Sequence, residues 1–135
     1  MEMLIGSGID LVENDRIAGL LERHGERFLQ RVFLPGEIAY CAKMREPAPH
    51  YAARFAAKEA LSKAFGCGIG REIGFLDMEV IRADSGAPSF HLHGGAVGLA
   101  ERRGVVRIFL SLSHTEQYAV AQALLVGRGE HLSGG

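Results

Sequence analysis

Apolar and polar residues alternate over Leu4–Val12, which predicts a first strand with Ile9 and Leu11 on one face and Gly8 and Asp10 on the other. From Asn14 the period lengthens. Ile17, Leu20, Leu21 and His24 recur at helical spacing, Asn14 and Asp15 offer N-caps, and Gly25 offers a stop. A short helix over Glu26–Val32 follows, and Pro35 opens another that runs to about Met44. Glu46–His50 holds two prolines and reads as a loop. The strongest helix covers Tyr51–Phe65, which is alanine-rich, free of internal Gly and Pro, and stopped by Gly66. Gly66–Gly74 then reads as a loop, Phe75–Ala83 as a strand, Asp84–Pro88 as a turn and Ser89–His93 as a hairpin partner. Ala96–Arg103 predicts a short helix closed by Gly104. Val105–Ser113 and Tyr118–Val126 alternate on either side of His114-Thr115-Glu116-Gln117 and predict a second hairpin. These elements give an α+β fold in one domain over residues 1–126: an early strand, a helical block, then antiparallel sheet. Residues 127–135 read as a disordered tail.

Composition narrows the function classes. In 135 residues, 47% are hydrophobic and 23% charged, enough apolar surface to build a core and exclude a disordered chain. The net charge of -1 argues against a general nucleic-acid surface. Two cysteines, Cys41 and Cys67, without a CxxC pair, point to a reducing compartment such as the cytoplasm. The N-terminus lacks the pattern of a signal peptide, and no apolar run reaches the ~18 residues of a membrane span.

Several residues carry candidate chemistry. Asp10 lies on a glycine-flanked apolar strand, where a carboxylate needs a partner; it either caps the next turn or ligates a hard cation. Glu59 shares a helical stripe with Phe55, Ala56 and Lys63, so it is either one half of an i,i+4 surface pair with Lys63 or a second carboxylate at a site. Arg54, Lys58, Ser62 and Lys63 read as one polar face that runs into Gly66-Cys67-Gly68-Ile69-Gly70. That face is either solvated or a phosphate cradle of cations and glycine N–H groups. His114 ends a strand beside a turn, where it caps the turn or donates to phosphate. His91 and His93 share a strand face but lack the companions of a zinc site. His24, His50 and His131 read as ordinary surface or boundary residues, and Cys41 as a small core residue. Walker A, dinucleotide and nucleophile-elbow motifs are absent.

Four strings, GIDLVENDRI, RVFLPGEI, RFAAKEALSKAFGCGIG and SLSHT, stand in one order over about Ile5–Val126. Together they resemble the holo-acyl-carrier-protein synthases, the short 4'-phosphopantetheinyl transferases. The resemblance implies that family's fold and the Mg2+-dependent transfer of 4'-phosphopantetheine from coenzyme A to a serine of apo acyl carrier protein, releasing adenosine 3',5'-bisphosphate. It implies Asp10 and Glu59 as magnesium ligands and, with Lys63, as the catalytic set. Arg54, Lys58, Lys63, Gly66, Gly68 and Pro88 would lie along coenzyme A, with His114 and Thr115 at its nucleotide end. Arg16 and Arg23 would meet the acidic carrier protein, and the chain would be a homotrimer with sites between subunits. Glu59, Asp10 or a water held by the metal remain alternative acceptors of the serine proton. Three positions depart from the family pattern. Leu34 replaces a hydroxyl N-cap, which costs about 1 kcal/mol locally. Cys67 stands where Thr is common, and Ala87 where Lys is common.

Overall fold

Alanine side chains let a helix lie close on a sheet, and glycines beneath it let the backbones approach still further. That packing organises this chain. The computed structural model describes residues 1–128. In order they form β1 (Glu2–Glu13), α1 (Asn14–His24), α2 (Glu26–Val32), α3 (Pro35–Ala42) and α4 (Pro47–Phe65). A one-turn 3-10 helix (Phe75–Asp77), β2 (Met78–Arg82), β3 (Pro88–Leu92), α5 (Gly94–Arg102), β4 (Val105–His114) and β5 (Tyr118–Arg128) complete the described residues.

The early strand is part of the final sheet. β1 and β4 both pair antiparallel with β5, in the order β1-β5-β4, while β2 and β3 form a separate two-stranded sheet. The expected antiparallel sheet is therefore two sheets, and α4 packs across the larger one. Gly8 and Val12 are buried toward the helix, while Ile9 and Leu11 lie on the outer face, the alternation expected from the sequence. A Cβ on Gly8 would overlap the carbonyl oxygen of Ala60, and one on Gly6 that of Ala64. Both obstacles are helix backbone and cannot rotate away. Gly8→Ala is therefore expected to destabilise the fold by about 1–3 kcal/mol through overpacking. A denaturation midpoint equal to that of the parent chain would reject this close approach.

Several boundaries differ from expectation for identifiable reasons. α4 starts at Pro47 rather than Tyr51, because prolines in a helix's first turn forfeit no internal hydrogen bond. It ends at Gly66, whose φ of 78° is the left-handed conformation that glycine adopts without strain. Phe75–Asp77 forms a 3-10 turn instead of strand, with the Asp77 carboxylate accepting the Gly74 N–H at 2.8 Å. Asn14 caps nothing. It lies buried at the first position of α1, and its Nδ2 donates to the carbonyls of Thr115 (2.9 Å) and Glu116 (3.1 Å), tying the helix start to the β4–β5 turn. Gly127 and Arg128, read from sequence as the start of the tail, belong to β5 and pair with Met3 and Glu2. The rest of that tail, 129–135, lies outside the described residues.

Candidate active site

β1 and α4 bring Asp10, Glu59 and Lys63 to one corner. Lys63 sits one helical turn after Glu59, yet its Nζ donates to Asp10 Oδ1 at 3.0 Å and to the Ile9 carbonyl at 3.1 Å. It therefore bridges helix to strand instead of closing the i,i+4 pair with Glu59. The Asp10 side chain is only 17% exposed. Burial, and then the Asp10 charge, hold the Glu59 carboxyl above the usual carboxylate range; Lys63 and Arg16 oppose the rise. Arg16 reaches this corner from α1, with its guanidinium 5.5 Å from the Phe55 ring centroid, and Phe55 in turn stacks on Phe75 at 5.5 Å. Arg16 and Arg23 are both exposed on α1. The corner thus joins two carboxylates, one of them reluctant to ionise, with two cations. The glycine loop follows immediately after α4. There Gly66, Cys67 and Gly68 line a cavity with Arg71 and Glu72, and burial pushes the Cys67 thiol up.

Three residues of the polar face read on α4, Arg54, Lys58 and Ser62, are instead buried while Lys63 stays exposed, and the burial of Lys58 corrects the expectation that it lies along coenzyme A. The helix is enclosed by the sheet on one side and by the other helices and the β2–β3 hairpin on the other. Lys58 is 0% exposed, and its Nζ donates to the Val32 carbonyl (2.6 Å), Glu37 Oε1 (2.6 Å) and the Phe75 carbonyl (3.1 Å). An ammonium has three protons, so none is left for a ligand. Glu37 also accepts the backbone N–H of Leu34 (2.9 Å) and of Val80 (2.9 Å). The first of these is the half of a capping box that survives with a leucine at the N-cap. Burial pulls the Lys58 ammonium down, and Glu37 holds it up. Ser62 is buried as well, donating to the Glu59 carbonyl at 2.8 Å.

A second cleft opens on the far side of α4. Arg54 is buried, with its guanidinium carbon 4.2 Å from the Tyr40 ring centroid. The His50 and His114 rings meet at 5.1 Å. Burial, then His114, Arg54 and Arg82, lower the His50 pKa. Thr115 shapes the turn, its Oγ1 accepting the N–H groups of Gln117 (3.2 Å) and Tyr118 (3.1 Å). Pro88 opens β3 opposite Arg82. Sequence reading missed His50, Tyr40 and Arg82 here. Placing His50 in the first turn of α4, four residues before Arg54, would have revealed the first of them. His93 Nε2 lies 2.8 Å from Glu79 Oε1 and its ring 4.7 Å from that of His91. Cys41 is in the core, where burial pushes its thiol up to about 11.

The sequence-predicted site residues thus form two groups. Nine residues separate His50 from Glu59, and Arg54 from Lys63; nine residues are about two and a half helical turns, so each pair points in opposite directions. One chain does not bring the Asp10–Glu59–Lys63 corner and the Arg54–His114 cleft together.

Residues 6–123 match the model of the 4'-phosphopantetheinyl transferase superfamily. The chain is 47% identical over 123 residues to a holo-acyl-carrier-protein synthase of Koribacter versatilis, covering 91% of this chain and 98% of that one. It is 46% identical over 125 residues to the one of Syntrophus aciditrophicus, covering 93% and 98%. Among solved structures it is similar to the holo-acyl-carrier-protein synthase of Neisseria meningitidis, with a TM-score of 0.85 at 32% identity over 91% of this chain and 98% of that one. A Bacillus anthracis synthase in complex with CoA (3',5'-ADP) gives a TM-score of 0.78 at 35% identity over 93% and 99%. With the family's motifs in order and its fold shared end to end, the chain belongs to the 4'-phosphopantetheinyl transferase superfamily, among its holo-acyl-carrier-protein synthases.

Proposed function

We propose that this chain transfers 4'-phosphopantetheine from coenzyme A to a serine hydroxyl of apo acyl carrier protein, with Mg2+, releasing adenosine 3',5'-bisphosphate. The observation that carries this reading is the corner where Asp10 and Glu59 converge beside Lys63. Two carboxylates supply hard oxygen donors and leave the remaining magnesium positions for water and substrate phosphate. The raised Glu59 carboxyl, with Asp10 beside it, marks a place where a cation is favoured. The residues therefore fit magnesium, which when bound supplies charge neutralisation for the pyrophosphate and its leaving phosphate.

The protein's own groups do the rest. Lys63, extended across the corner to Asp10, is suited to neutralise the charge that develops on the leaving phosphate oxygen. The serine oxygen forms a bond to the phosphorus nearer pantetheine, and the bond from that phosphorus to the oxygen bridging the two phosphates breaks. Glu59 is the carboxylate of this chain best suited to take the serine proton, since its basicity is raised. Arg54, His114, Thr115, Pro88 and the Gly66–Gly68 turn bind the rest of coenzyme A.

Because those groups lie on opposite sides of α4, a complete site combines the corner of one subunit with the cleft of another, in a homotrimer. The outer face of the large sheet supports such an assembly. Ile9, Leu11 and Phe109 are 60%, 62% and 52% exposed there, an apolar surface of the kind that marks association. Two free cysteines are in keeping with a cytoplasmic enzyme. Among the described residues no helix is long and apolar enough to cross a membrane.

Arg23, with Arg16, steers the acidic carrier to α1. Arg23→Ala is expected to raise the carrier KM about three- to tenfold and to flatten its salt dependence while leaving the coenzyme A KM unchanged. An unaltered carrier KM would remove α1 from the docking surface. The decisive test of the reaction mixes the protein with Mg2+, coenzyme A and apo carrier and reads the intact carrier mass. A gain of about 340 Da is expected from phosphopantetheine transferred in a metal-assisted displacement. Nucleotide bisphosphate without carrier modification would show a pyrophosphatase instead, and no product would show a binding protein.

A further inference from the structure

Two histidines that the transfer chemistry leaves unused sit together on the β2–β3 hairpin. The strands pair antiparallel with Glu79 opposite His91, so these two side chains share a face of the ribbon. His93 lies two residues beyond His91. Its backbone is extended (φ -132°, ψ 163°), and its N–H still donates across to the Asp77 carbonyl at 2.8 Å. The alternation of the strand therefore carries the His93 side chain to the same face. The two imidazole rings are 4.7 Å apart, centroid to centroid, with planes tilted by 51°. His93 Nε2 lies 2.8 Å from Glu79 Oε1. His91 is exposed and the His93 side chain is 40% exposed, so solvent and its ions reach the pair.

We infer that His91 and His93 chelate a divalent transition metal of the zinc, nickel and copper class, and that Glu79 orients His93 for it. The spacing fits. A metal holds an imidazole nitrogen at about 2.0–2.1 Å, so two imidazoles on one ion, at a cis or tetrahedral angle, have ring centroids roughly 4.5–5.5 Å apart. The hydrogen bond fits as well. An ionised carboxylate can only accept, so the Glu79 contact puts the proton of neutral His93 on Nε2 and leaves the Nδ1 lone pair for the ion. A carboxylate on the far nitrogen of a ligating histidine fixes its tautomer and raises its basicity. Among the described residues no three His, Cys, Asp or Glu side chains gather round one metal position. The protein's share is therefore two nitrogens, and water completes the shell. Imidazole suits these metals whereas magnesium takes oxygen donors, so the hairpin and the Asp10–Glu59 corner differ in the ion they favour. The other histidine pair, His50 and His114, has rings 5.1 Å apart but stands in the field of Arg54 and Arg82, which repels a cation. Neither His91 nor His93 belongs to the transfer machinery, and the hairpin site does not depend on it.

The test titrates Zn2+, and separately Ni2+, into the full chain by calorimetry, with Mg2+ in excess to hold the oxygen-donor corner. One site per chain is expected. His91→Gln and His93→Gln should each weaken it about tenfold or more, and His50→Gln should leave it unchanged. Glu79→Gln should weaken it about tenfold at the same stoichiometry, the usual effect of losing a carboxylate behind a ligating histidine. His91 is exposed, so His91→Gln spares the fold, and an unfolding temperature equal to that of the parent in the presence of a chelator checks this. A parent chain that binds neither metal, or binding that survives both hairpin substitutions, would overturn the site. Binding lost in His50→Gln but kept in His91→Gln would also overturn it, in favour of the other pair. Glu79→Gln binding as tightly as the parent would remove the orienting role.

Discussion

Asp10→Ala and Glu59→Ala will each lower Mg2+-dependent transfer about 100-fold or more. A metal that neutralises phosphate charge contributes several kcal/mol to such a step, and each ~1.4 kcal/mol lost is tenfold in rate. Either substitution halves the carboxylate set. Asp10→Ala also releases Lys63, which reaches the corner through its 3.0 Å bond to Asp10. The fold should survive. Lys63 is 53% exposed, and ion pairs of that kind contribute at most about 1 kcal/mol. The measurement is turnover across a magnesium titration, with thermal unfolding as the control. The midpoint in magnesium should rise in both variants, and the unfolding temperature should stay near that of the parent. Undiminished turnover in either variant would remove the metal from this corner.

Lys58→Ala will destabilise the chain by about 3–5 kcal/mol, because it leaves the Glu37 carboxylate buried without its counter-charge. The pair is 2.6 Å apart and both side chains are 0% exposed. It also joins four elements to α4, since the Val32 and Phe75 carbonyls accept from Lys58 and the Leu34 and Val80 N–H groups donate to Glu37. Denaturant unfolding reads the loss. Pairing Lys58→Met with Glu37→Gln keeps the volume while discharging both partners, and should cost less than Lys58→Ala alone. A Lys58→Met chain of parental stability whose only defect is a raised coenzyme A KM would instead return Lys58 to the ligand site.

The strand pattern singled out Asp10 as a carboxylate in need of a partner, and the fold supplies Lys63 as that partner. Glu59 was half legible. The helical period placed it beside Phe55 and Lys63, but only the fold showed Lys63 reaching past it to Asp10. Lys58 was misread because the partner that makes its burial tolerable, Glu37, is 21 residues away. A helical wheel cannot show a face covered by a distant hairpin. His50 was missed because its two prolines suggested a loop, although prolines in the first turn of a helix are compatible with one.

The sequence by itself determined the local units: a strand with glycines on one face, an alanine-rich helix with a glycine stop, and the order of motifs that places the chain in its family. Period, turn chemistry and side-chain size are properties of neighbouring residues, so they can be read along the chain. Tertiary structure decided which units meet. β1 pairs with β5 from the other end of the chain, and α4 is closed in on both sides. That enclosure separates Asp10 and Glu59 from Arg54 and His114, and it turns Lys58 from a surface cation into a buried strut. Burial and charge pairing depend on residues far apart in sequence, and only the folded chain brings those residues into contact.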